Sequence, residues 1–241
     1  MPMWTPGPPC PARGGGPNHH PKCRKFPDQP HHQERACGMS AILFRRFLAN
    51  PMKVAYMLPS SKALVKRVLD KMDFSAARVV VEFGAGEGCF TRELATRLGP
   101  EARLLVYELD PHLADHLREQ FADDDRVQIF AEDAAGFRNA LRDLGTLGSG
   151  GADCVISGIP LSYLEPKKKK ALLHAVHEDL APGGRFIAYQ VTPELKVHTR
   201  MFAEYKMEYF LPNLPPMFIQ VCRKAPARER IADTPGKSRV A

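Results

Sequence analysis

The sequence predicts an α/β fold: an open, doubly wound, mostly parallel sheet of seven strands, closed by an antiparallel hairpin. Five short apolar runs alternate with helical patterns between residues 78 and 191. These runs are almost continuously apolar, which is typical of strands covered by helices on both faces. Two further strand-like runs follow without a long helix between them. Repeated strand–helix units with right-handed crossovers produce such a sheet.

Each predicted element follows from its local pattern. The parallel strands are predicted at 78–83, 103–108, 127–131, 152–157 and 185–191, and the closing hairpin at 202–210 and 216–223. The helices between them are predicted at 88–99, 111–122, 134–145 and 166–181. Before the first strand, Ser60 or Ser61 is suited to cap a helix. The apolar stripe of that helix is Leu64, Val65, Val68, Leu69 and Met72.

Charge and composition divide the chain into four regions. The net charge is +7, but residues 39–71 carry seven Lys or Arg against one acid, whereas residues 72–224 carry 18 against 22. We therefore predict a disordered tail rich in Pro, Gly and His at 1–38, a basic amphipathic arm at 39–72, an α/β domain at 73–224 and a second disordered tail at 225–241. The arm contains a predicted helix over 40–49 with a broad apolar face.

Several classes of protein are disfavoured. The six cysteines occur singly, without a C-x-x-C pair, and the N-terminus has no apolar block typical of a signal peptide. We therefore expect a cytoplasmic protein, and no run of 18 apolar residues suggests a membrane span. His19, His20, His31 and His32 lie near Cys23 and Cys37, but their spacing fits no zinc site. We therefore expect no bound metal ion. We also expect the protein to be a monomer.

A glycine-rich turn follows the first strand in the stretch VVVEFGAGEGCF. Gly84, Gly86 and Gly88 are spaced G-x-G-x-G, which lets a ligand approach the backbone at a helix N-terminus. Dinucleotide enzymes use G-x-G-x-x-G instead, and the carboxylates of Glu82 and Glu87 would repel a pyrophosphate. A ligand with a sulfonium and an ammonium group is favoured by those acids. The turn therefore points to S-adenosylmethionine.

Two more carboxylates follow the next two strands. Glu108 stands 24 residues after Gly84, where it is suited to accept both ribose hydroxyls, and Asp133 is placed for the adenine amino group. The combination resembles the Rossmann-like class I S-adenosylmethionine-dependent methyltransferases over about residues 60–224. The implied cofactor-binding residues are Glu82, Phe83, Gly84, Ala85, Gly86, Gly88, Glu108, Leu109, Asp133, Ala134 and Ser157.

The turn after the fourth strand indicates the methyl acceptor. Enzymes of this superfamily that methylate exocyclic base nitrogens have Asn, Asp or Ser, then any residue, then Pro and an aromatic there. Aligned on Pro160, this chain has Gly158 at the polar position and Leu161 at the aromatic position. Ser157 stands one residue before the polar position and Tyr163 two residues after the aromatic position, so these two residues fit the motif only if it is shifted. An aliphatic amine needs neither stacking nor lone-pair localisation, so the turn favours one.

Four segments resemble bacterial phospholipid N-methyltransferases, class I enzymes related to the ribosomal RNA adenine dimethylases. They are FLANPMKVAYMLPSSKALVKRVL, SGIPL, APGGRFIAYQVTP and PNLPPMFIQVCRK. The chain departs from that family at Ala55, where a glycine is usual, and around Tyr189, where threonines are more common. The resemblance implies methylation of the phosphatidylethanolamine amine at a membrane surface.

The resemblance and the charge pattern together imply an anionic phospholipid partner. The basic arm can lie in a lipid interface, Lys167 to Lys170 can add a second basic patch, and the protein would be peripheral on the inner face of the membrane. Backbone atoms of Ser157, Gly158, Ile159 and Pro160 are expected to line the acceptor pocket. Tyr163, Glu165 and Tyr189 are the candidates to act on the proton that the amine loses.

Three alternatives remain at this stage. The basic arm also suits a nucleic-acid adenine N6-methyltransferase that binds phosphates, although the acceptor turn lacks its polar and aromatic groups. A small-molecule amine methyltransferase would use the arm only as a lid. A protein that binds the cofactor without catalysis would show neither activity.

Overall fold

The computed structural model describes residues 60–146 and 150–227. The predicted helix over 40–49, the N-terminal tail with its histidines and most of the C-terminal tail lie outside the described residues. Of the predicted arm, only residues 60–72 are described. No helix within the described ranges is both long enough and apolar enough to cross a bilayer.

Seven strands form one sheet in the order β3-β2-β1-β4-β5-β7-β6. The strands are β1 (Val79–Phe83), β2 (Arg103–Tyr107), β3 (Val127–Phe130), β4 (Ala152–Ser157), β5 (Leu180–Gln190), β6 (Glu204–Phe210) and β7 (Met217–Arg223). β1 to β5 are mutually parallel, whereas β7 is antiparallel to both β5 and β6. The predicted fold class is confirmed. The order in which the chain adds strands reverses between β1 and β4, and ligands of open α/β sheets bind at such a switch point.

Within residues 60–146 and 150–227, five α-helices cover the two faces of the sheet. They are α1 (Lys62–Leu69), α2 (Cys89–Arg97), α3 (Pro111–Gln120), α4 (Phe137–Asp143) and α5 (Pro166–Asp179). α1, α2 and α3 bury Leu64, Leu94 and Leu117 in one apolar cluster, and α4 and α5 bury Phe137 and Val176 in the other. Short 3-10 segments occur at Ala134–Gly136, Leu161–Tyr163 and Glu194–Met201. Burial of both sheet faces explains why the parallel strands are almost purely apolar.

The last part of the predicted arm packs into the core of the sheet domain. Ser61 is the N-cap of α1, and its Oγ accepts a hydrogen bond from the Leu64 backbone N–H at 3.1 Å. The predicted apolar stripe is buried, from Leu64 to Met72. The side chain of Ser60 is hydrogen-bonded to Tyr189 near the end of β5, so α1 begins beside the carboxyl ends of the strands.

Replacing Ser61 with alanine is expected to lower the free energy of unfolding by about 1 kcal/mol, because the first turn of α1 loses its cap. For a domain of this size, the melting temperature should fall by about 2–4 °C. Ser61→Asp, which can also cap a helix, should restore most of the loss. A thermal melt in which the alanine variant matches the wild type would contradict this role.

β5 begins earlier than its pattern predicts, at Leu180 and not at 185. Between the pairs Ala152–Leu180 and Cys154–Arg185, β5 advances five residues while β4 advances two. Gly183 has a φ of 79°, and a β-carbon on Gly184 would lie 2.8 Å from the Ala181 carbonyl oxygen. The irregular start of β5 therefore depends on two glycines. Because glycine has no apolar side chain, the apolar run predicted only the later part of this strand.

The turn between β6 and β7 is held by a buried asparagine. Asn213 Oδ1 accepts a hydrogen bond from the Ser61 backbone N–H at 3.3 Å, and its Nδ2 donates to the Pro215 carbonyl at 2.8 Å. Both segments, PSS and NLPP, belong to the resemblance described above. Their contact ties the start of α1 to the closing hairpin.

Candidate active site

The glycine turn lies at the carboxyl end of β1. Gly84, Gly86 and Gly88 all have positive φ, at 72°, 57° and 78°, which explains the choice of glycine. The Gly84 N–H donates to the Tyr107 carbonyl and the Gly86 N–H donates to Glu108 Oε2, both at 2.8 Å. A β-carbon on Gly86 would meet no atom within 4 Å, so there is open space beside the turn. The turn is therefore fixed against β2 and open to a ligand.

Glu82, the last polar side chain before this turn, is buried with 1 % of its surface exposed. Its Oε2 accepts a hydrogen bond from Thr91 Oγ1 at 2.8 Å. The other oxygen, Oε1, is buried and has no hydrogen-bond partner among the described residues. Burial raises the pKa of Glu82 to about 7; the nearby Glu108 carboxyl also raises it, and the bond from Thr91 opposes the shift. A buried carboxylate oxygen without a donor is suited to receive a cationic ligand.

The residues predicted for the ribose and adenine lie at the ends of β2 and β3. Glu108 binds two backbone N–H groups, that of Gly86 through Oε2 and that of Asp110 through Oε1 at 3.0 Å. Asp133 is exposed and its Oδ1 accepts from the Ala135 N–H at 2.9 Å, while Ala134 is buried. Leu109 is exposed beside Glu108. Their contacts to a cofactor stay predictions.

The acceptor turn at the end of β4 touches the glycine turn. The Gly158 N–H donates to the Phe83 carbonyl at 2.8 Å, and a β-carbon on Gly84 would lie 3.3 Å from Ile159 Cγ1. The Phe83 side chain packs edge-to-face on Tyr107 and Phe137, so Phe83 reaches the site only through its backbone. Two turns that are 74 residues apart in the chain thus form one surface.

Three further predicted residues, Ala85, Ser157 and Pro160, form hydrogen bonds within the two turns. The buried Ala85 carbonyl accepts from the Gly88 N–H at 3.0 Å and so closes the glycine turn. Ser157 is fully buried, and its Oγ accepts from the Ile159 N–H at 3.3 Å. The Pro160 carbonyl accepts from the Tyr163 N–H at 3.0 Å. Ser157 and Pro160 therefore shape the acceptor turn from within.

Tyr189 on β5 is the predicted side chain that lies against this turn. A β-carbon on Gly158 would lie 2.5 Å from the Tyr189 hydroxyl oxygen, so the hydroxyl occupies the space of the side chain that glycine lacks. The ring stacks on Phe90 with centroids 4.4 Å apart, and the hydroxyl is hydrogen-bonded to the side chain of Ser60. Burial, together with the Glu82 carboxyl, raises the pKa of Tyr189 above its ordinary value. The hydroxyl therefore stays protonated near neutral pH and acts as a hydrogen-bonding group, not as an anionic base.

Tyr163 and Glu165, the other two residues predicted to act on the amine proton, lie at the surface. Tyr163 is exposed in the 3-10 segment after the acceptor turn, and Glu165 is exposed at the start of α5. Leu161, at the position where base methylases have an aromatic, is buried in the core, and its N–H donates to Gln190 Oε1 at 3.2 Å. No aromatic ring therefore stands at that position to stack on a base.

The sequence patterns gave Ser60 only a possible capping role and gave none to Thr91, Phe90 or Gln190, all of which support the site. Ser60 belongs to the PSS stretch, but its partner Tyr189 is 129 residues away in the chain. Thr91 and Phe90 read only as residues of a helix. Such roles depend on which strands become neighbours, and local pattern does not carry that information.

The arrangement fits S-adenosylmethionine, the cofactor that the sequence predicts. The turn exposes backbone at Gly86, where a β-carbon would meet open space, Glu82 offers a buried oxygen for an ammonium, and Glu108 stands at the end of the neighbouring strand. Within the described ranges, no group of three or more His, Cys, Asp or Glu is arranged to hold a metal ion.

Comparison with known sequences gives two kinds of relative. Residues 58–143 match the family model described as ribosomal RNA adenine dimethylase. The chain is 32 % identical over 184 residues to an ornithine lipid N-methyltransferase of Singulisphaera acidiphila, covering 76 % of this chain and 94 % of that protein. It is 30 % identical over 183 residues to ribosomal RNA small subunit methyltransferase A of Thermotoga neapolitana, covering 69 % of this chain but 65 % of that protein.

Comparison with solved structures supports the fold. The N-methyltransferase NodS of Bradyrhizobium japonicum, solved with S-adenosyl-L-homocysteine, superposes with a TM-score of 0.51 at 17 % identity. The match covers 76 % of this chain and 96 % of NodS. At that identity the likeness shows a shared fold.

Proposed function

Because this chain belongs to the class I S-adenosylmethionine-dependent methyltransferases related to the ribosomal RNA adenine dimethylases, we propose that it methylates the primary amine of a membrane-lipid headgroup. The amine of phosphatidylethanolamine or of an ornithine lipid has the required chemistry. The ornithine lipid relative, matched over 94 % of its length, supports a lipid amine. We further propose that the protein acts as a peripheral protein on the inner face of the membrane.

The observation that carries this proposal is the pairing of Gly158 with Tyr189. At the acceptor turn, the Tyr189 hydroxyl from β5 takes the place of the Asn, Asp or Ser side chain that a base methylase carries in the turn itself. With Leu161 buried, no ring is available at the stacking position. A flexible aliphatic amine needs only one hydrogen bond to aim its lone pair, and the Tyr189 hydroxyl beside the turn can supply that bond.

The described residues suggest how the site would work. Bound S-adenosylmethionine supplies a methyl group on a positively charged sulfur, which a neutral amine can attack. Glu82 would hold the cofactor ammonium through Oε1, and the glycine turn would bind its carboxylate. The Tyr189 hydroxyl, oriented by Ser60, would accept one amine hydrogen and so aim the lone pair. The amine proton would pass to water at the open side of the turn.

The test uses the full chain with radiolabelled S-adenosylmethionine and anionic vesicles, with or without phosphatidylethanolamine or ornithine lipid. We expect label in the lipid phase only when an amine lipid is present. Tyr189→Phe should lower that rate about tenfold, because one hydrogen bond to the amine is lost. Tyr107→Phe is the matched control, since it removes a buried tyrosine hydroxyl from β2 and leaves the acceptor turn intact.

The second candidate, methylation of an adenine in ribosomal RNA, is favoured by the family model and by the Thermotoga relative. Ribosomal RNA is therefore offered in a parallel reaction. Label in RNA and none in lipid would replace the lipid proposal. Label in a soluble amine without vesicles would instead indicate a small-molecule methyltransferase.

A further inference from the structure

Exposed apolar side chains lie at the end of the sheet where the parallel strands have their carboxyl ends, here called the carboxyl edge. Among the described residues, the exposed large hydrophobic side chains are Leu109, Tyr163, Met207, Tyr209, Leu211 and Leu214. Leu109 follows the carboxyl end of β2 and Tyr163 follows that of β4. β6 runs parallel to β5, because both are antiparallel to β7, so its end also lies at this edge. Only Met207 lies in the middle of a strand, and single exposed residues of that kind are normal.

The β6–β7 turn has an unusual distribution of polar and apolar side chains. Leu211 and Leu214, here called the leucine knob, have 66 % and 59 % of their surface exposed. Asn213 between them is only 6 % exposed, because its side chain binds the Ser61 N–H and the Pro215 carbonyl. Turns normally place polar groups in water and apolar groups inside. Here the polar side chain is buried and two leucines are exposed, at the carboxyl edge that also carries the acceptor turn.

A basic cluster lies at the same edge. Lys167, Lys168 and Lys170 are exposed in the first turns of α5, directly after the acceptor turn and Tyr163. That helix has no acidic residue in its first turn. Cations at a helix N-terminus oppose the helix dipole, so helix stability does not explain their placement. An anionic surface in front of this edge would explain the position of the lysines.

We propose that the leucine knob inserts into the headgroup region of an anionic phospholipid bilayer while the lysines of α5 contact its charged surface. Apolar side chains beside basic ones are the combination that holds a protein in a lipid interface. Docking in this orientation brings headgroups to Gly158 and Tyr189, at the same carboxyl edge. This docking proposal rests on the proposed function, but docking itself can be measured without catalysis.

The test measures flotation of the full chain with vesicles of phosphatidylglycerol and phosphatidylcholine, which contain no methylatable primary amine. The double variant Leu211→Ser with Leu214→Ser should bind about tenfold more weakly than the wild type, because two apolar insertions are lost. Met207→Ser, the same kind of change in the middle of β6, should bind within about twofold of the wild type. S-adenosylmethionine binding by each variant reports that its fold is intact.

Transfer to dihexanoyl phosphatidylethanolamine, kept below its micelle concentration, separates docking from acceptor chemistry. The double variant should methylate this soluble lipid at the wild-type rate and lose transfer to vesicles. Wild-type protein that docks on vesicles yet methylates no lipid would support the docking surface and sink the proposed function. Equal flotation of the double variant and wild type, no flotation of the wild type, or a loss of RNA binding in place of vesicle binding would overturn the docking surface.

Discussion

Gly158→Ala is expected to reduce methyl transfer about 100-fold, the loss typical of a reacting group displaced by about 1 Å. The added β-carbon would lie 2.5 Å from the Tyr189 hydroxyl oxygen and 2.9 Å from Cζ, distances that no stable structure tolerates. Tyr189 cannot swing away freely, because it is buried and stacked on Phe90. On the other side the Gly84 carbonyl oxygen, 3.1 Å from the added carbon, belongs to the glycine turn.

Gly99→Ala is the matched control, since its β-carbon would meet no atom within 4 Å. The rate is measured with any acceptor that the wild type methylates. In a Tyr189→Phe background the alanine should cost less, because the oxygen at 2.5 Å is gone, although the ring carbon Cζ at 2.9 Å remains. A Gly158→Ala enzyme with the wild-type rate would show that Tyr189 does not position the acceptor.

Glu82→Gln is expected to stabilise the protein without cofactor at pH 8 by up to about 3 kcal/mol, while weakening S-adenosylmethionine binding at least tenfold. The folded-state pKa of about 7 lies above the ordinary value of 4.5 for this group. A raised carboxyl pKa means that the fold favours the protonated form. The cost of ionising Glu82 is therefore absent below about pH 4.5, grows as the pH rises and is complete above about pH 7.

Unfolding of wild type and variant, without cofactor, is followed between pH 4.5 and 8.5. The difference in unfolding free energy between Glu82→Gln and wild type should grow with pH across that window. Cofactor affinity, measured by calorimetry, should fall in the wild type as the pH drops below 7, because Glu82 loses the charge that holds an ammonium. Glu101→Gln, an exposed acid, serves as control. A pH-independent difference in unfolding free energy would contradict the raised pKa of Glu82, and unchanged affinity in Glu82→Gln would remove Glu82 from the cofactor site.

The elements of the fold were largely predictable, because each depends on a short stretch. The strands at 79–83, 103–107, 127–130 and 152–157 agree with the predicted runs to within one residue at each end. Both hairpin strands end where predicted, but β6 begins two residues later than predicted and β7 one residue later. β5 is the exception, since its first residues, Leu180 to Gly184, include Pro182 and two glycines that no apolar pattern marks.

By itself, the sequence determined the class of protein: alternating apolar runs, a G-x-G-x-G turn and carboxylates after successive strands depend on residues close together in the chain. Tertiary structure decided what those residues can do. It put Glu82 where burial raises its pKa, and it set Tyr189 into the space beside Gly158. It also turned Asn213 inward and two leucines outward at the acceptor edge. Burial, close contact and a shared edge arise only when distant segments pack together.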